Sequence, residues 1–201
     1  MPPKKPLAPR AWQRMLSGRR LDLLDPSPLD VEIEDIAHGL SRVARWNGQT
    51  RGPHAFSVAQ HALFVEAVAR FLRDGLPNET CLGVLLHDAA EYVIGDLISP
   101  FKAAIGANYK TLENSILAAV RMRFGLRPAP LPDEAALTKH ADTIAAHHEA
   151  VTLAGFAPKE AETFFGKSRT LPKPLLDMLA PKPLGLVEQE FLARFNTLNQ
   201  T

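Results

Sequence analysis

The sequence predicts an all-α protein of one domain. Apolar residues recur at three- and four-residue intervals over stretches of helical length. No stretch of useful length alternates apolar and polar residues as a half-buried strand does, and no internal repeat is present. The prolines, with Gly48, Gly52, Gly95, Gly125 and Gly155, fall between the periodic stretches, where helices end.

Residues 1–14 read as a flexible lead-in, because the first ten, MPPKKPLAPR, hold four prolines. The domain then covers 15–201, with a core of about 30–155. After a turn-rich stretch with Pro26 and Pro28, a helix is expected over about 35–44, with Ile36, Leu40 and Val43 on one face. The segment 47–56 reads as a loop with Gly48, Gly52 and Pro53. Ser57 is placed to cap a helix to about 74 through Val58, Ala62, Val65, Ala69 and Leu72. A third helix is expected from about 79 to 94 along Leu82, Leu85, Leu86, Ala89 and Val93, stopped by Gly95. Another runs over 109–124, and Asp133 caps a long one to about 154 that ends at Gly155. The Pro-rich segment 166–185 reads as loops with short helical turns wrapping the body, and a final helix covers about 186–198.

The 201 residues suffice for a sizeable core, and 46% hydrophobic with 22% charged residues is an ordinary globular balance. A formal charge of +1 argues against a nucleic-acid or membrane partner recognised by the whole surface. The one cysteine, Cys81, excludes an internal disulfide and a Cys-rich zinc site, and it reads as a small buried hydrophobe. No apolar run is long enough to cross a membrane and no signal core precedes the domain, so a cytoplasmic location is expected.

Polar residues stand where apolar faces are expected on three helices. His61 lies one turn beyond Val58 and one before Val65, so it points inward. His87 and Asp88 directly follow Val84, Leu85 and Leu86, and Asp142 stands among Ala141, Ile144 and Ala145. Burying a lone carboxylate costs several kcal/mol without compensation. A shared divalent ion compensates, because two neutral imidazoles and two carboxylates cancel its charge and leave positions for water and a phosphate oxygen. Each residue also has a plainer reading: a hydrogen-bonded structural histidine, or an Asp142 that pairs with Lys139. Glu91 follows His87 by four positions, on the same side of a helix, and Asp96 follows Gly95 at the helix end. Either is a candidate to orient or deprotonate a water; otherwise they are an exposed helix charge and a turn residue. Arg45 and Trp46 precede the glycine loop, where a guanidinium suits a phosphate and an indole a sugar or base. Their plainer readings are a surface arginine and a core tryptophan.

The order His61, His87-Asp88, Asp142 resembles the H…HD…D signature of the HD superfamily of metal-dependent phosphohydrolases. The run HDAAEYVIGDLISPFK (87–102) and the Arg45-Trp46 pair resemble the bacterial HD 5′-deoxynucleotidases, and 33–61 resembles phage-type and bacterial HD hydrolases. The resemblance spans about 15–155. It implies an HD-type helical bundle and one divalent ion (Mn2+, Co2+, Ni2+, Fe2+, Zn2+ or Mg2+) on His61, His87, Asp88 and Asp142. It further implies Glu91 as acid/base beside the attacking water, Asp96 on the substrate side, Arg45 gripping the phosphate and Trp46 helping to select the sugar. The implied substrate is a small phosphoester, a nucleoside 5′-monophosphate first, and a homodimer is expected by analogy. The alternatives are hydrolysis of an alarmone and a non-catalytic nucleotide-binding module. Gln60, where the nucleotidases tend to have an acidic residue, and the 48–56 loop depart from that subgroup beside the expected pocket. His54, His140, His147 and His148 receive no role.

Overall fold

The computed structural model describes residues 11–98 and 107–200. The first ten residues, and Pro100 and Lys102 of the 87–102 run, lie outside the described residues. The all-α reading holds. The helices are α1 (Ile33–Arg42), α2 (Val58–Leu72), α3 (Asn78–Leu85), α4 (Glu91–Ile94), α5 (Ala107–Arg123), α6 (Pro132–Thr152), α7 (Pro158–Phe165), α8 (Lys173–Leu176) and α9 (Leu184–Leu198).

Helix α2 is central. Ser57 caps it as expected, its hydroxyl accepting the Gln60 N–H at 3.3 Å. One side of α2, with Val58, Ala59 and Ala62, joins a core formed with Leu40, Leu85, Leu86, Phe191 and Phe195. The other side, with Phe64, Val65 and Val68, joins a second core with Leu137, Ala141, Ile144 and Ala145 of α6. Both sides are apolar, so α2 is enclosed along most of its length. Fully burying one such side chain, Phe64 for example, contributes roughly 1.5–3 kcal/mol.

Helix α9 closes the first core, held by a bidentate pair from Arg194 to the buried Glu66 of α2 at 2.6 and 3.2 Å. Helix α1 packs on α9 and on α4. Gly39 permits the contact with α4, because a Cβ there would lie 2.9 Å from both the Cβ and the carbonyl oxygen of Tyr92.

Three expectations need correction. Residues 12–14 are not part of a lead-in: Trp12–Arg14 and Arg20–Asp22 form a short antiparallel ribbon. Its turn docks on α1, where the Ser17 backbone N–H and hydroxyl both donate to the buried Asp35, at 3.0 and 2.5 Å. The expected helix over 79–94 is broken between α3 and α4. At 86–90 the ladder shortens to three-residue bonds, among them His87 N–H to Val84 O at 3.2 Å and Glu91 N–H to Asp88 O at 3.0 Å. The cap of α6 is Leu131, whose N–H donates to Glu134 Oε2 at 3.0 Å, with Pro132 at the first helical position and Asp133 at the second. The segment after Gly155 carries the two-turn helix α7 before the short turns of the Pro-rich stretch.

Among the described residues, no helix is long and apolar enough to cross a membrane. Cys81 is buried and free, and burial pushes its thiol up to about 11.

Gln60 has a structural task. Its side-chain amide donates to the carbonyls of Met178 and Ala180 at 2.9 and 2.7 Å and accepts from Lys182 N–H at 3.2 Å. It thereby pins the Pro-rich segment to α2. Gln60→Ala orphans these backbone groups and is expected to lower stability by roughly 1–3 kcal/mol in chemical denaturation. An unchanged unfolding midpoint contradicts this anchoring role.

Candidate metal centre

The structure brings together His61 from near the N-terminal end of α2, His87 and Asp88 from the α3–α4 break, and Asp142 from α6. His61 Nε2 lies 3.5 Å from Asp88 Oδ2 and 3.4 Å from Asp142 Oδ1, and His87 Nε2 lies 3.2 Å from Asp88 Oδ2. The imidazole centroids are 5.4 Å apart. His61, His87 and Asp88 offer donor atoms within 4.8 Å of one another.

The other ring nitrogens fix how the histidines face. His87 Nδ1 is 2.9 Å from the Val84 carbonyl, which only accepts, so Nδ1 carries the proton. The same carbonyl takes the His87 backbone N–H, so the break in the helix and the orientation of the ring share one acceptor. His61 Nδ1 donates to Glu149 Oε1 at 2.5 Å, with both side chains fully buried. Both Nε2 atoms are buried and have no hydrogen-bond partner among the described residues. Two imidazole nitrogens aimed at two carboxylates form the donor set of a borderline divalent ion. The surrounding charge fits as well. Asp88, Glu91, Asp96, Asp142 and Glu149 act on Arg45 and His61, and this carboxylate excess matches a cation.

Electrostatics carry the same sign. Burial and Arg45 oppose protonation of His61, yet Glu149, Asp142 and Asp88 raise its pKa well above the ordinary histidine value. Burial works against ionised Asp88 and Asp142, but the histidines hold both below the usual carboxylate range. Burial likewise opposes ionised Glu149, and His61 and Arg45 keep it at about 2.

Asp142 also faces outward, where Oδ2 accepts from Lys139 Nζ at 3.0 Å and the lysine is largely exposed. The plainer expectation for Asp142, pairing with Lys139, is therefore present alongside its approach to His61.

The Arg45–Trp46 pair lies against Glu149, the carboxylate that holds His61 Nδ1. Arg45 Nη1 reaches Asp96 Oδ2 at 3.2 Å and Nη2 reaches Glu149 Oε2 at 3.4 Å. Burial would lower the guanidinium pKa, but Glu149 and Asp96 raise it instead. Trp46 Nε1 donates to Glu149 Oε2 at 3.0 Å, and its ring packs on Phe156 and Phe165 at 5.7 and 6.0 Å. Trp46 and the next residue, Asn47, both take left-handed backbone, at φ 55° and 50°. Non-glycine residues pay roughly 1–3 kcal/mol each for this region. The loop is closed at its neck by Arg45 N–H to Phe56 O at 2.8 Å and Val58 N–H to Val43 O at 2.9 Å.

Glu91 is buried at the start of α4, and the Asp96 side chain is almost fully buried just after Gly95. His54 and His140 lie exposed, and His148 contacts the Arg169 carbonyl and the Ser168 hydroxyl.

No family model matches the chain. It is 54% identical over 192 residues to an uncharacterized protein of Rhodobacter capsulatus, covering 94% of this chain and 96% of that protein. The chain belongs to that protein's family. It is also 29% identical over 171 residues to the uncharacterized protein YfdR of Escherichia coli K12, covering 85% and 86% of the two chains. Among solved structures, it is similar to the cyanophage S-2L HD phosphohydrolase DatZ bound to dA and one catalytic Zn2+ ion. That similarity has 21% identity and a TM-score of 0.49, over 85% of this chain and 98% of that one.

Sequence reasoning missed Glu149. The signal was available: it lies seven residues beyond Asp142, two turns along the same face of α6.

Raised above its unfolded value, the His61 pKa stabilises the metal-free fold below about pH 6.5, and this is lost as pH rises through the folded value. An ion on Nε2 must displace that proton. Divalent-ion affinity of chelator-stripped protein is therefore expected to rise with pH below the folded His61 pKa, by up to about tenfold per unit for one proton displaced. Titration calorimetry across pH 6 to 8 checks this, and an affinity independent of pH contradicts it.

Proposed function

We propose that the chain is an HD-type, metal-dependent phosphohydrolase that cleaves phosphomonoesters, with nucleoside 5′-monophosphates as its substrate class. The observation that carries this reading is the convergence of the two buried, unbonded Nε2 atoms of His61 and His87 on Asp88 and Asp142. The residues stand in the order and helical setting of the HD signature, and the run His87–Asp96 with Arg45-Trp46 favours the nucleotidase subgroup.

On this reading His61, His87, Asp88 and Asp142 hold one divalent ion. Such an ion polarises a phosphoryl oxygen and lowers the pKa of a water toward about 7. Glu91 accepts the proton of the attacking water and passes it to the departing sugar oxygen. Asp96 is held by Arg45 on the substrate side, and the guanidinium offsets negative charge beside the incoming phosphate. Lys139 stands at the exposed rim of Asp142, where an arriving phosphate meets a positive charge. Trp46, its indole N–H bound to Glu149 and its ring packed on Phe156 and Phe165, is the residue placed to help select the sugar.

The test is phosphate release from a panel of nucleoside 5′-monophosphates by stripped protein supplied separately with Mn2+, Co2+, Mg2+ or Zn2+. Release that requires a metal and falls about 10²- to 10⁴-fold in Glu91→Ala is the expected result. Metal binding without release from any monophosphate overturns the substrate class and turns attention to other phosphoesters, alarmones first.

A further inference from the structure

Glu149 is a fully buried carboxylate of the site, and none of the roles above is assigned to it. It is fully buried on α6, two turns beyond Asp142. Oε1 accepts from His61 Nδ1 on α2 at 2.5 Å. Oε2 accepts from Trp46 Nε1 at 3.0 Å and from Arg45 Nη2 at 3.4 Å, both in the turn after α1. One carboxylate thus serves donors from two separate segments, and each of its oxygens faces a different one.

The segments need it for different reasons. An imidazole can place its proton on either nitrogen, and the hydrogen bond at one nitrogen decides what the other presents. With Nδ1–H given to Oε1, His61 Nε2 faces Asp88 and Asp142. The turn adopts positive φ at Trp46 and Asn47, neither a glycine, so it stays in place only where surrounding contacts over-determine it. The bonds to Oε2, with the indole packed on Phe156 and Phe165, are those contacts.

We propose that Glu149 is a positioning residue that couples the two halves of the site: it sets His61 for the metal and, through its second oxygen, holds the Arg45–Trp46 turn. The inference deepens the metal-site reading and rests on it. A glutamine at this position accepts with one atom only, so it turns an amide N–H toward either His61 or the Trp46–Arg45 side. Phenylalanine at 46 removes the donor to Oε2 and leaves the charge of Glu149 in place.

The test uses the full chain with Zn2+ as probe. Zn2+ affinity is measured by chelator competition for wild type, Glu149→Gln, Trp46→Phe and His61→Ala, with the Trp46 indole N–H followed by NMR in metal-free wild type and Glu149→Gln. The proposal expects Zn2+ binding weakened about 10- to 100-fold in Glu149→Gln. It expects a several-fold loss in Trp46→Phe, although that side chain touches no candidate ligand, and a displaced, faster-exchanging indole signal in Glu149→Gln. Should Glu149→Gln fail to fold, Trp46→Phe decides. Wild-type affinity in Trp46→Phe, or in a folded Glu149→Gln, overturns the coupling while His61→Ala loses the ion. Equal Zn2+ affinity in wild type and His61→Ala overturns the metal-site reading itself, and a moved indole signal in that case still shows Glu149 holding the turn.

Discussion

The hydrogen bond between His61 and Glu149 is the constraint around which the rest of the site is arranged. Both side chains have zero exposure, one near the N-terminal end of the enclosed helix α2 and one on α6. Taking two such groups from water costs several kcal/mol per ion unless geometry and further hydrogen bonds compensate. The structure supplies that compensation on both sides of the pair. Arg45 and Trp46 satisfy the outer oxygen of Glu149, and the far nitrogen of His61 looks onto Asp88 and Asp142. The apolar packing of α2 against α6, through Phe64, Val68, Ala141 and Ile144, fixes the separation at which this is possible.

Part of the site is built where regular structure gives way. An unbroken helix from 79 to 94 would spend the Val84 carbonyl on the amide four residues ahead. The break gives that oxygen to His87 twice, through backbone and ring, and so orients the imidazole. The turn after α1 similarly leaves helical geometry for left-handed backbone, which brings the Trp46 indole N–H to Glu149. Each irregularity costs conformational energy locally and delivers a polar group to one point between helices. The regular helices α2 and α6 supply His61, Asp142 and Glu149, and the two irregular segments add His87, Asp88, Arg45 and Trp46.

Legibility in the sequence followed the same division. Helix period located α2, α6 and α9 to within a few residues, and the inward phase of His61 and Asp142 could be read because apolar neighbours flank them. The break at 86–90 was hidden, since Leu82, Leu85, Leu86, Ala89 and Val93 keep helical spacing through it. The N-terminal ribbon was hidden because its strands are three residues each, too short for alternation to register. In Arg-Trp-Asn-Gly, Asn47 is a residue that tolerates left-handed backbone, but nothing marks Trp46 for it. Glu149 was not singled out in the sequence, although its two-turn offset from Asp142 places it on the same face of the helix. Gln60 read as a change bearing on substrate, whereas its amide is occupied with the backbone of 178–182.

The central claim is that one divalent ion sits among the buried nitrogens and carboxylates contributed by α2, the α3–α4 break and α6. Anomalous diffraction from Zn2+-loaded crystals tests it most directly. The account predicts a single strong peak within about 2.0–2.2 Å of His61 Nε2 and His87 Nε2, with carboxylate oxygens of Asp88 and Asp142 at similar range. Well-ordered crystals with no peak at this point, or with the ion held by other residues, would contradict it.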